Sequence, residues 1–145
     1  MAMTTSFADF NKALIHDLRA HGGKATSGPF KGRDVLILTA KGAKSGEVRS
    51  HPLVYSRDNA HYVIVASKGG AATNPAWYHN LVVNPTVTVE VLDKKFQARA
   101  SVVHDNDEYE RLYGQHAERM PAFNEYRKNT TRKIPVIVLE PITTD

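Results

Sequence analysis

The sequence predicts a mainly β (α+β) domain, an antiparallel barrel of about six strands with short helices packed around it. Two observations carry this: six short apolar or alternating runs that pair around turn residues, and the lack of the strand–helix alternation that builds parallel sheets. Length is the third. With 145 residues, 41% of them hydrophobic and 23% charged, the chain can bury a core with no cysteine to staple it. Residues 1–145 therefore read as one domain that opens on a helix over about 7–20 and a loop over 21–33.

The elements follow from local chemistry. Phe7, Phe10, Leu14, Ile15 and Leu18 recur at helical spacing behind Ser6 as a cap, and Gly22, Gly23, Gly28, Pro29 and Gly32 then hold the chain in a loop. Asp34–Ala40 is almost continuously apolar, which suits a buried strand. Val48–Tyr55 carries Pro52 and so reads as an edge or bulged strand. Arg57–Ala60 turns the chain into Tyr62–Ala66, giving two hairpins in the first half. Asn74 and Pro75 suit the cap and first position of a helix over Ala76–Val82, which Asn84-Pro85 ends. Thr86–Leu92 and Phe96–Val103 alternate around Asp93-Lys94-Lys95 as a third hairpin. Asp105 and Glu108 have capping-box spacing before an apolar stripe of Tyr109, Leu112, Tyr113, Ala117 and Met120. Pro121 breaks that helix, a further short one covers Ala122–Lys128, and Ile134–Leu139 is the last strand.

Charge narrows the partner. Nineteen Lys+Arg against fifteen Asp+Glu give a net +4. The excess lies between residues 19 and 49, where seven cations (Arg19, Lys24, Lys31, Arg33, Lys41, Lys44, Arg49) face only Asp34 and Glu47, a local +5 that invites an anion. Phe30 is the only aromatic among them, which argues against nucleic acid. The seven histidines include no pair three or four apart, so a metal site is not expected. Nucleophile-elbow, P-loop and dinucleotide-binding glycine patterns are all missing. No apolar run approaches the length of a membrane span and the first residues lack the apolar core of a secretory signal, so the expected location is cytoplasmic. A weak membrane-surface association through the helix 7–20 is the alternative placement.

Two loops carry the positive signals. Lys41–Arg49 sets two glycines, a hydroxyl and three cations between strands, where backbone amides with Lys44 and Arg49 suit a phosphate; a plain hairpin tip is the competing reading. Ala66-Ser67-Lys68-Gly69-Gly70-Ala71 leaves a strand for a helix and lets backbone approach a flat ligand.

The run Ser67–Ala71 followed by Asn74-Pro75-Ala76-Trp77-Tyr78-His79-Asn80-Leu81 and Asn84-Pro85 resembles the deazaflavin (coenzyme F420)-dependent nitroreductase family of actinobacteria, split β-barrel reductases that include F420H2-dependent quinone reductases. Leu38–Gly46, Arg49–Pro52 and Thr130–Val136 match the same pattern, so the likeness spans about residues 7–142. The resemblance implies a split barrel and coenzyme F420, whose flat deazaflavin and anionic phosphate–glutamate tail fit the local charge. It puts the anionic end near Lys44, Ser45, Gly46 and Arg49, and Ser50, His51 and Pro52 along the chain leading to the ring. Ala66, Ser67, Lys68, Gly69 and Gly70 would lie beside the ring, with Trp77, Tyr78 and Asn80 around the same pocket. Trp77 as core and Asn80 as a backbone partner are the structural alternatives.

The reaction so implied is hydride transfer from reduced deazaflavin to an electron-poor acceptor, a quinone, an enone or lactone, or a nitro compound. Tyr126 would donate the proton and Ser67 a hydrogen bond to the acceptor oxygen, with Phe123 and Tyr126 facing the substrate. Phe123 stands where the best-known nitroreducing pattern has a second tyrosine, and Asn129 follows instead of another, which favours flat apolar acceptors. An FMN-binding split-barrel oxidoreductase and a non-catalytic deazaflavin- or anion-binding module are the alternatives, and both monomer and dimer are open.

Overall fold

The computed structural model describes residues 7–71 and 73–142. Helix α1 (Phe7–Ala20) is followed by β1 (Val35–Lys41), β2 (Val48–Val54), β3 (Ser56–Asp58) and β4 (His61–Val65). A 3-10 turn (Lys68–Gly70) leads into α2 (Ala76–Val83), and then come β5 (Thr86–Val91), β6 (Lys94–Val102), α3 (Asn106–Arg119), α4 (Ala122–Lys128) and β7 (Val136–Pro141). Ser6, the expected cap of α1, lies outside the described residues.

All strand pairs are antiparallel, and the seven strands run in the order β2-β1-β5-β6-β7-β4-β3. Strands β2 and β3 thus form opposite edges of the sheet, yet Val54 and Ser56 are separated by a single residue, Tyr55. A flat seven-stranded sheet would set its edges on the order of 30 Å apart, so the sheet must curl until its edges meet at Tyr55. That is a split barrel. It corrects one expected pairing: Val48–Tyr55 does not return along Tyr62–Ala66, because the short β3 pairs with β4 instead (Ser56 with Val63) and β2 pairs only with β1. The turn is confined to Asn59-Ala60, with Asn59 at φ +56°, a conformation asparagine tolerates. Pro52 sits on the β2 edge, where a missing N–H costs no ladder bond on the outer side.

Alternation along the strands divides the core in two. Leu36, Leu38, Ile64, Val87, Val89, Ala98 and Leu139 line the barrel interior, which Trp77 and Leu81 of α2 plug. Val35, Ile37, Val63, Val65 and Val136 point the other way, onto Leu14 and Leu18 of α1, Leu112 and Tyr113 of α3 and Phe123 of α4. β1 is covered on both faces, which is why its sequence is continuously apolar. Leu14 and Leu18 are buried and Phe10 and Ile15 pack on the same cluster, so the apolar face of α1 that suggested a membrane surface is turned to the core. No helix among the described residues is long and apolar enough to cross a membrane.

Two side chains tie α1 and α3 down. Arg19 grips Glu90 of β5 with two hydrogen bonds of 3.0 and 2.8 Å, and Asp105 caps α3 by accepting the Glu108 N–H at 2.9 Å. The reciprocal half of the expected capping box is replaced: the Glu108 carboxylate pairs with Arg111. Asn74 is not the cap of α2 either. Pro75 holds the N-cap position, and the Asn74 side chain accepts a hydrogen bond from Arg132.

Candidate active site

The β1–β2 loop is closed mostly by its own backbone. Gly42 N–H donates to Glu47 O at 2.7 Å, Gly46 N–H to Gly42 O at 3.1 Å, and Glu47 N–H to Ser45 Oγ at 3.1 Å. The Ala43 N–H donates to Asn80 Oδ1 of α2 at 2.9 Å, and Asn84 Nδ2 donates to Lys41 O at 3.3 Å. Four of the loop amides are therefore spent inside the protein. The anion-binding potential rests on the amides of Lys44 and Ser45, the Ser45 hydroxyl and the exposed Lys44 ammonium. Arg49 is exposed and already pairs with Glu47 at 2.7 Å.

Along β2, Ser50 Oγ shares a hydrogen bond with Thr39 Oγ1 at 2.7 Å. His51 stands opposite Leu38 of the barrel interior, and its buried Nε2 has no partner in the protein. Burial first, and Arg49 second, lower its pKa, so the imidazole is held neutral. The neutral ring thus keeps one buried nitrogen without a hydrogen-bond partner in the protein.

The second loop, Ala66–Asn74, leaves β4 in a 3-10 turn closed by Gly70 N–H to Ser67 O (3.0 Å) and Ala71 N–H to Lys68 O (3.2 Å). Lys68 and Gly70 are both left-handed, at φ +48° and +82°. Gly70 is required on two counts: besides its φ, a Cβ there would come within 2.9 Å of Tyr126 O and 3.1 Å of Tyr126 Cα. The loop consequently rests directly on α4 at Tyr126. Ser67 is buried at the head of the turn and its hydroxyl makes no capping bond. Helix α2 bridges the two loops, since it starts where Ala66–Asn74 ends and Asn80, one turn along, holds Ala43.

The remaining sequence-expected residues divide by burial. Tyr126 and Tyr78 are half-buried, Tyr126 edge-on to Phe123 at 5.2 Å and Tyr78 edge-on to His79 at 5.4 Å. Trp77 and Phe123 are each 6% exposed and belong to the two cores, Trp77 inside the barrel and Phe123 against the edge of His116 at 4.4 Å. These two shape the site from behind.

Sequence reasoning missed Arg132, which lies in the link between α4 and β7 and binds the Ala66–Asn74 loop with five hydrogen bonds. It stands inside the stretch Thr130–Val136, but its partners are 58 to 66 residues earlier, and no local spacing announces them. The +5 stretch is also not one patch. Lys24, Lys31 and Arg33 lie before β1 and Lys41, Lys44 and Arg49 at its far end, about 20 Å along a seven-residue strand. Clefts of about 270 and 340 Å3 open beside the first group, lined among others by Arg19, Lys24, Arg33 and Leu92, and none of the sequence-expected site residues lines either. Among the described residues there is no group of three or more His, Cys, Asp or Glu able to hold a metal ion.

Two loop surfaces are so arranged: the β1–β2 tip with its exposed Lys44, and the left-handed Lys68–Gly70 turn, headed by Ser67, that rests on α4 at Tyr126. The curled antiparallel sheet with its outer helices defines a split-barrel protein. A profile of the F420H(2)-dependent quinone reductase family matches residues 12–141. The chain is 42% identical over 106 residues to the F420H(2)-dependent quinone reductase Rv1261c of Mycobacterium tuberculosis, covering 72% of this chain and 71% of that one. Among solved structures, an F420-H2 dependent reductase (FDR-A) superposes with a TM-score of 0.68 at 38% identity, over 74% of this chain and 95% of that chain. A protein described as a domain-swapped dimer superposes with a TM-score of 0.70 at 33% identity, over 89% and 93%. The chain belongs to the F420H(2)-dependent quinone reductase family, and it is an oxidoreductase whose cofactor is coenzyme F420.

Proposed function

We propose that the protein passes a hydride from reduced F420 to a flat, electron-poor acceptor, with quinones first among acceptors that also include enones, lactones and nitro compounds. The carrying observation is the seat of Gly70 on the Tyr126 backbone, which puts the Ser67 turn and the Tyr126 helix in direct contact. Bound F420H2 supplies the hydride. Every other requirement falls to the chain.

Lys44, the Lys44 and Ser45 amides and Gly46 bind the anionic end, with Arg49 contributing once it leaves Glu47. Ser50, His51 and Pro52 on one side, and Ala66, Lys68, Gly69 and Gly70 on the other, line the path to the flat end. His51 Nε2 gains its missing hydrogen bond there. Tyr78 and Asn80 close the wall from α2, with Trp77 packed behind them. Ser67 Oγ donates a hydrogen bond to the acceptor oxygen and so favours the negative charge that grows on it. Tyr126 gives its phenolic proton to that oxygen and recovers one from water, so hydride plus proton complete a two-electron reduction. Phe123, edge-on to Tyr126, fixes the phenol ring without adding a second donor, which supports a preference for quinones over nitro compounds.

The wild-type protein, mixed with F420H2 and menadione, is expected to restore the deazaflavin absorbance and fluorescence at a rate proportional to enzyme. No oxidation above the uncatalysed rate with menadione, an enone or a nitroimidazole would refute the reading. One solved relative is a domain-swapped dimer, which supports the dimer over the monomer for this chain.

A further inference from the structure

We propose that Arg132 is a positioning residue: it clamps the Ala66–Asn74 loop onto α4 and thereby sets Ser67 and Tyr126 at their working separation. The inference rests on the site reading above, but its structural half stands without it.

A guanidinium has five N–H donors, and here all five are used. Nε and Nη2 both donate to Ala71 O, at 3.1 and 2.9 Å; Nη1 donates to Ala66 O at 3.2 Å and to Asn74 Oδ1; Nη2 also donates to Ser67 O at 2.9 Å. No carboxylate among the described residues pairs with it. An arginine near an anion-binding site is ordinarily read as an anion ligand. This one has no donor left for a phosphate or carboxylate, so its charge serves only to strengthen hydrogen bonds to neutral oxygens.

What those bonds hold is a loop that the backbone alone holds poorly. Lys68 carries a side chain at φ +48° and Gly70 lies at φ +82°, so within three residues the chain is left-handed twice, once without the excuse of glycine. Arg132 fastens the carbonyls on either side of that turn, Ala66 and Ser67 before it and Ala71 after it, and adds the Asn74 amide at the entrance to α2. Its own backbone N–H is held by Thr130 Oγ1 at 3.2 Å, in the segment that follows the end of α4 at Lys128. The Arg132 clamp and the Gly70–Tyr126 contact thus hold the turn from two sides, one from the segment after α4 and one from α4 itself. A lysine could not substitute, since one ammonium cannot reach carbonyls spread over six residues with the fixed fork of a guanidinium.

The test uses the full-length protein with Arg132→Lys and Arg132→Ala. In cofactor-free Arg132→Lys, the Gly70 and Ala71 amides are expected to exchange with deuterium about tenfold faster, while amides of β1, β4 and β7 keep wild-type rates. With F420H2 and menadione, kcat should fall about tenfold, whereas the dissociation constant for oxidised F420, governed at Lys44, should change less than about threefold. Millimolar guanidinium should restore part of kcat in Arg132→Ala. Wild-type exchange at Gly70 and Ala71 in Arg132→Lys would overturn the proposal, and so would faster exchange spread evenly over the strands, or loosened loop amides with an unchanged kcat. Should Arg132→Ala fail to fold, the lysine variant decides alone. Should the wild-type protein oxidise no F420H2, the functional reading fails while the exchange experiment still decides whether the clamp exists.

Discussion

Tyr126 is where the proposed chemistry of this protein meets its packing. Its ring is braced edge-on by Phe123 at 5.2 Å while its backbone supports Gly70, so both its side chain and its main chain are packed. Tyr126→Phe removes the proposed proton donor and leaves the ring, the brace and the glycine seat intact. We expect kcat with menadione to fall about 100-fold with little change in F420 affinity, measured by fluorescence titration. An unchanged kcat would remove the phenol from the mechanism. Two residues that the family resemblance placed at the ligand, Trp77 and Phe123, are buried in the two cores. A sequence shows that an aromatic lies on a helix, but which way the helix faces depends on the partner it packs against.

At the scale of elements, the β1–β2 loop and α2 act as one unit, because Asn80 and Asn84 bind the loop backbone at Ala43 and Lys41. The tip that remains free centres on Lys44. A cofactor with a long glutamate tail should therefore lose more affinity in Lys44→Ala than a tailless analogue, and the loss should shrink as salt rises. Arg49→Ala should lose less than Lys44→Ala, since Arg49 must first give up its 2.7 Å pair with Glu47. Equal losses for long-tailed and tailless cofactors would displace the anionic end from this loop. The loop itself was legible, because its glycines, hydroxyl and cations are contiguous. The closing of four of its amides was not, because one of the acceptors lies 37 residues away on α2.

At the scale of the whole molecule, a buried histidine ties the edge of the barrel to its helices. His116 of α3 is fully buried; its Nδ1 shares a hydrogen bond with Ser56 Oγ of β3 at 2.9 Å, and its Nε2 has no partner. Burial lowers its pKa from 6.5 to about 4, so it is neutral when folded. The unfolded chain therefore binds the extra proton between about pH 6.5 and 4, and stability is lost as the pH falls through that window. The loss approaches about 3 kcal/mol near pH 4, read as a falling urea midpoint. His116→Asn should lower stability at pH 7 and flatten the curve between pH 6.5 and 4. An unchanged slope in that variant would assign the acid limb to other groups.

The sequence by itself determined the antiparallel barrel, the helices and their order, the two loops and the family, because turn chemistry, strand alternation and the Pro75–Leu81 run are local signals written in neighbouring residues. Only the tertiary structure decided that the two sheet edges meet at Tyr55, that the basic stretch divides between the two ends of β1, and that Arg132 serves a loop some 60 residues away. Each depends on contacts between residues far apart in the chain. Such contacts arise from curl, packing and the reach of a single side chain, which leave no period or spacing in the sequence.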